Sequence, residues 1–274
     1  MKEETQQNLS DWNYKILGKA GAPRMVFLHG IMGSLNNWLK VVTHFKNDFE
    51  ILIFDQRGHG RSCHKEAYKT ADYAKDLEYI TNQLGWDKFH LIGHSSGGIV
   101  ACEYTATYPD KVLSLCIEDI SMEPRKDIGV KIEKLLLSIP TPFKDTASYK
   151  TFFEQKVPGL TKNFFQPNLL GSFLKMNIVE KDNGQWQWRF HRNGVIDSLR
   201  EARASSFYPQ YFSIKCPILV IHGSRSEDLP PAEYAKMLTH TKAQGVELSS
   251  GHWVHFEQCE EFSKALLDFI RGLC

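Results

Sequence analysis

Short, mainly apolar runs recur along the chain at Met25 to Leu28, Ile51 to Phe54, Phe89 to Ile92 and Val112 to Ile117. Runs of that kind, without strict alternation, fit strands buried on both faces, as in a parallel sheet. Between the second and third, Tyr73, Leu77, Ile80 and Leu84 recur at helical spacing and Gly85 ends the stripe. Strand and helix signals thus alternate from Met25 to Ile117, as crossover connections require. The alternation stops after Ile120. From Ser121 to Phe212 the stripes are helical, as at Ile128, Ile132, Leu135 and Ile139, and Pro140, Pro142, Pro158 and Pro167 break them up. Strand signals return at Pro217 to Ile221 and Gly245 to Leu248, and an amphipathic helix is predicted from Glu257 to Ile270. The pattern predicts one α/β unit in two pieces, residues 1–120 and 213–274, with a helical cap inserted at 121–212.

The sharpest chemical signal lies where the third strand gives way to a helix: Gly93-His94-Ser95-Ser96-Gly97. A serine on so tight a strand-to-helix turn is strained and exposed, and small flanking residues let strand and helix approach closely. The unsatisfied N–H groups and positive dipole end of the helix point at the same place. Ser95 is therefore the candidate nucleophile. Acyl transfer also needs two N–H donors aimed at the developing oxyanion. Ser96 supplies one candidate, and Ile31, in the loop His29-Gly30-Ile31-Met32-Gly33 after the first strand, supplies the other. A serine hydroxyl needs an imidazole to take its proton and later return it to the leaving group. His252, after Gly251 in the penultimate loop, is the candidate base, with His255 as a decoy three residues on.

The order of His29-Gly30, Asp55 to Ser62, Gly93 to Gly98 and Gly251-His252 resembles the α/β-hydrolase family over nearly the whole chain. The resemblance implies a mostly parallel, eight-stranded-type sheet flanked by helices, with an inserted cap. In most members the triad acid follows the strand before the final base, but the corresponding position here is Ser226, with Glu227 and Asp228 displaced beyond it. The strand Val112 to Ile117 offers another acid, because parallel strands deliver their C-terminal ends to one edge. It ends in Glu118-Asp119, whose side chains are expected on opposite faces. Asp119 is the preferred acid and Asp228 the alternative. A subset of small bacterial esterases is similar in carrying Asp-Ile after this strand and Gly-His-Trp-Val-His at the base.

These residues predict a serine hydrolase cleaving carboxylic esters, needing no cofactor. An acyl thioesterase or a carbon–carbon bond hydrolase or lyase uses the same triad, and Arg125, Arg189 or Arg192 in the cavity would favour the latter. A receptor of the same fold with slow turnover is the non-enzymatic alternative. The cap is rich in large side chains, including Phe164, Phe165 and Phe173, and an apolar acyl group suits its underside. Trp186, Trp188 and His94 are candidates for contact with substrate.

Bulk properties narrow the partners. Across 274 residues, 33 Lys and Arg against 32 Asp and Glu give a charge of +1, which favours neither nucleic acid nor an anionic membrane. Six scattered cysteines lack metal or redox spacing and read as reduced packing residues. His59, Cys63 and His64 lack a fourth metal ligand, so no metal is assigned. Charged residues around Gly58 and Gly60 read as a loop braced by Asp55 and Arg57. Met1 to Asp11 carries no apolar stretch, which makes the cytoplasm the expected compartment. The pattern specifies no oligomeric state.

Overall fold

The computed structural model describes residues 8–273. Cys274 and the first seven residues of the N-terminal stretch lie outside that range. Nine strands occur among the described residues: β1 (Tyr14–Gly18), β2 (Arg24–Leu28), β3 (Glu50–Phe54), β4 (Phe89–His94), β5 (Val112–Glu118), β6 (Ile178–Glu180), β7 (Trp186–Trp188), β8 (Ile218–Gly223) and β9 (Ala243–Leu248). The α-helices are α1 (Thr70–Gln83), α2 (Ser96–Thr107), α3 (Lys126–Ser138), α4 (Thr146–Gln155), α5 (Val157–Thr161), α6 (Pro167–Met176), α7 (Arg192–Ala202), α8 (Tyr208–Ser213), α9 (Pro231–Met237), α10 (Val254–Glu257) and α11 (Cys259–Arg271).

Seven strands form one sheet in the order β1-β3-β2-β4-β5-β8-β9, all neighbours parallel except β1, which runs antiparallel to β3. The mostly parallel sheet agrees with expectation, with seven strands rather than eight among the described residues. Side chains alternate between its faces, as a pleated strand requires. Val26, Leu28, Leu52 and Phe54 join one apolar cluster with α1 and α2 residues such as Leu77, Ile80 and Val100. Met25, Phe27, Ile51 and Ile53 join another with Phe262, Leu266 and Phe269 of α11. The closing helix predicted as continuous is two, separated at Gln258. Cys102, Cys116 and Cys259 are buried free thiols. No helix of the described residues is long and apolar enough to cross a membrane.

Between β5 and β8 the chain makes α3 to α7 and the β6–β7 hairpin around a third apolar cluster containing Leu136, Phe143, Phe153, Leu174 and Trp188. From Phe207 onward it packs with the sheet again, through Tyr208 and Tyr211. The insertion is also tied to the loop after β3. The His191 N–H donates to the Gly58 carbonyl at 2.7 Å, and the Tyr68 hydroxyl lies 3.0 Å from His191 Nδ1. Gly194 makes that contact possible, because a Cβ there would come within 2.2 Å of the Tyr68 ring.

Candidate active site

Ser95 occupies the turn from β4 into α2 with φ 53° and ψ −126°. A non-glycine residue there is strained, and the surroundings must hold it in place. Its N–H donates to the Glu118 carbonyl at 2.9 Å, and its carbonyl accepts from Gly98 N–H at 2.7 Å. The flanking glycines are required by space: a Cβ on Gly93 would lie 2.3 Å from the Gly97 oxygen, and one on Gly97 2.5 Å from the Leu28 oxygen.

Ser96 is the first residue of α2, so its N–H has no intrahelical partner. In the loop after β2, the Met32 N–H donates to His59 Nε2 at 3.1 Å and the Gly33 N–H to the Gly30 carbonyl at 3.0 Å. Among the described residues the Ile31 N–H has no such partner. The loop after β3 is braced as expected. Asp55 accepts from Leu35 and Arg61 N–H groups, while Arg57 pairs with Asp76 at 2.5 Å.

Asp119 follows the last residue of β5 with φ 51° and is fully buried. Its Oδ1 accepts from the Gly223 N–H at 2.9 Å, and its Oδ2 accepts the Ser226 hydroxyl and lies 2.9 Å from His252 Nδ1. Ser226, where the family resemblance leads one to look for the acid, instead donates to the acid contributed by β5. Asp228 Oδ2 stands 3.5 Å from the same Nδ1, beyond good hydrogen-bonding range. Burial alone would lower the His252 pKa, but the carboxylates of Asp228 and Asp119, with Glu118 behind them, push it up to about 9. Burial raises the Asp228 pKa, opposed by His252 and reinforced by Asp119. With Nδ1–H directed at Asp119, the neutral His252 carries its lone pair on Nε2.

The neighbouring Glu118 makes a second pair. It accepts from both the His255 backbone N–H and ring Nδ1 at 2.8 Å, and both side chains are buried. His94 is a third member. Its Nε2–H donates to the His252 carbonyl at 2.9 Å, and burial, reinforced by His252 and His255, holds its pKa well below the usual value. Ligand atoms of His94, Glu118 and His255 lie within 4.8 Å of one another, the arrangement among the described residues that comes nearest to a metal set. Within this trio Glu118 is taken up by the His255 backbone and ring Nδ1, and His94 Nε2 by the His252 carbonyl.

Ser95, His252, Asp228 and Ile31 face a cavity of about 920 Å³, counting its open mouth, whose apolar wall includes Ile128, Ile132, Phe164, Phe165, Leu170, Phe173 and Trp253. A second cavity of about 610 Å³, likewise counted, meets it at Ser95. His94 also lines the first cavity, whereas Trp186 and Trp188 line neither. Trp186 stacks on Tyr149 at 4.7 Å and Trp188 on Phe190 at 4.8 Å. A two-stranded hairpin must bury its apolar face, and this one does so against the insertion's own helices, which removes both tryptophans as substrate contacts. Arg189 and Arg192 also line neither cavity, and the Arg125 guanidinium, at the edge of the second, is held by Asp127 and the Glu227 carbonyl. The Ser226 contact, the Glu118–His255 pair and the position of Trp253 had no readable signal in the chain beyond the residues themselves.

Known proteins align along nearly the whole length. The chain is 27% identical over 268 residues to the sn-1-specific diacylglycerol lipase ABHD11 of Mus musculus, covering 94% of this chain and 84% of that protein. The Danio rerio protein of the same name is 24% identical over 263 residues, covering 93% and 80%. Among solved structures, a marine microorganism esterase superposes with a TM-score of 0.80 at 25% identity, covering 94% of this chain and 98% of that one. Residues 23–258 match the family model described as alpha/beta hydrolase fold, and to that family the chain belongs.

Proposed function

We propose that the protein is a serine esterase in which Ser95 is the nucleophile, His252 the base and Asp119 the acid that orients it. The observation that carries this reading is the 2.9 Å contact between buried Asp119 and His252 Nδ1, with His252 and Ser95 facing one cavity. Ser95 Oγ attacks the ester carbonyl as His252 Nε2 takes its proton, and the N–H groups of Ile31 and Ser96 stabilise the oxyanion. The C–O bond to the alcohol then breaks, and the alcohol leaves with the proton from His252. Water adds to the acyl-enzyme, giving its proton to His252, and the carboxylic acid departs as Ser95 regains its hydrogen. The insertion acts as a cap whose apolar underside excludes water and receives apolar groups.

Lipase and esterase names among the relatives support this reading. Its test is fluorophosphonate labelling alongside a panel of nitrophenyl esters and acyl thioesters. Labelling confined to Ser95, with rapid turnover of esters, is expected. Labelling at another serine would overturn the assignment, and stoichiometric binding without turnover would favour a receptor.

A further inference from the structure

The leaving alcohol takes its proton from His252, so the alcohol arm of an ester lies on the side of Ser95 that His252 faces. His252 lines only the first cavity, whereas Ser95 lines both. The acyl arm is thereby directed into the second, where Ile99, Ile120, Met122, Leu199 and Phe207 form an apolar wall.

Four charged residues interrupt that wall: Glu123, Arg125, Asp228 and Arg203. Three are already answered. Glu123 accepts the Ser206 hydroxyl at 2.8 Å, Arg125 is held by Asp127 and the Glu227 carbonyl, and Asp228 faces His252. Arg203 differs. Its Nη2 is held by Glu133 at 2.6 Å, but its Nη1 is buried with no partner among the described residues. Buried polar groups in folded proteins are nearly always paired, so an orphan in a cavity wall marks a place for a ligand atom. Gly129 of α3 makes room for it, because a Cβ there would stand 2.6 Å from Arg203 Cδ and 3.0 Å from Nη1.

Resting on the esterase reading, we infer that the acyl group of the substrate carries a carboxylate at its far end, bound by Arg203 Nη1 in the second cavity. The substrate class is then monoesters of dicarboxylic acids with an apolar chain between the two carbonyl carbons. A guanidinium N–H to carboxylate contact is among the stronger hydrogen bonds, and an apolar wall strengthens it further.

The test compares nitrophenyl esters of straight-chain alkanoic acids with nitrophenyl hemiesters of dicarboxylic acids of equal chain length, from four to ten carbons. In the native protein kcat/KM is expected to favour the hemiester by about tenfold or more at one or more lengths. Arg203→Met should collapse that ratio, and Gly129→Ala, which displaces the guanidinium without removing its charge, should lower it. A ratio of rates on one preparation is insensitive to the fraction folded. Hemiesters disfavoured at every length, or a ratio unchanged by Arg203→Met, would overturn the inference while leaving the esterase standing. A methyl-capped diester matching the hemiester would overturn the anionic assignment, and no turnover of either series would instead sink the esterase reading.

Discussion

Glu118 and Asp119 are consecutive carboxylates, and each holds a histidine near the end of the chain, Asp119 the His252 of the loop after β9 and Glu118 the His255 of α10. They do so in opposite settings. Glu118 and His255 are sealed in, with the His255 ring against Trp38 at 4.5 Å and His94 at 4.8 Å. Asp119 is equally buried, but its partner His252 is 17% exposed and opens onto the cavity beside Ser95. The same donor and acceptor chemistry therefore serves two ends: one pair fixes the loop, and the other keeps a ring nitrogen available to a substrate. What separates them is one residue of strand direction and the left-handed turn at Asp119.

The strongest way to break this comparison is to remove each base in turn. Ser95→Ala and His252→Ala should each lower kcat for a nitrophenyl ester by about 10⁴-fold or more. His255→Ala, in the fraction that circular dichroism shows to be folded, should keep more than about a tenth of the native rate. Equal losses from the two histidine variants would erase the distinction.

Next comes the acid. Asp119→Asn should cost about 10³- to 10⁴-fold in kcat through the wrong imidazole tautomer, whereas Asp228→Asn should cost less than about tenfold. The reverse ranking would transfer the role to Asp228.

Glu118→Gln bears on the sealed pair. Its expected effect is on stability, a loss of about 1–3 kcal/mol in urea unfolding from leaving buried donors short of their acceptor. An unchanged unfolding midpoint would show that this pair does not hold the loop.

The smallest effect is a shift along the pH axis. Only neutral His252 can accept the serine proton, so activity should climb with pH to a plateau above about 9. Asp228→Asn removes a carboxylate that raises this pKa and should move the rising limb to lower pH. A folded pKa above the ordinary 6.5 also means that protonated His252 stabilises the fold. That contribution is full below about 6.5 and fades as pH rises through about 9, which unfolding midpoints of native protein and His252→Gln across pH would reveal.

Much of this site was legible before the structure, and for definite reasons. Ser95 announced itself because the close approach of strand and helix demands glycines on both sides of it. Asp119 could be chosen because a parallel sheet gathers its strand ends at one edge, an argument from topology that needs no side-chain detail. The edge strand β1 left little trace, since Lys15 and Ile16 are both exposed and no buried run develops. Trp186 and Trp188 misled because an aromatic stripe has the same spacing whether it faces a cavity or its own helices. The spare nitrogen of Arg203 was invisible for a different cause: it depends on Glu133, Gly129 and a cavity wall supplied by distant segments.

The tie between His191 and Gly58 limits how the molecule can open. The insertion leaves the sheet at β5 and returns at the adjacent β8, and this contact fixes it a third time. The added attachment opposes a swing of the insertion as one piece about its two connections to the sheet. Local loosening of α5 and α6, whose junction carries the half-exposed Phe165 beside the first cavity, is then the expected route of admission. Amide exchange is expected to be faster there than in α7, which the His191 contact clamps, and uniform protection across both would mean that the gate lies elsewhere.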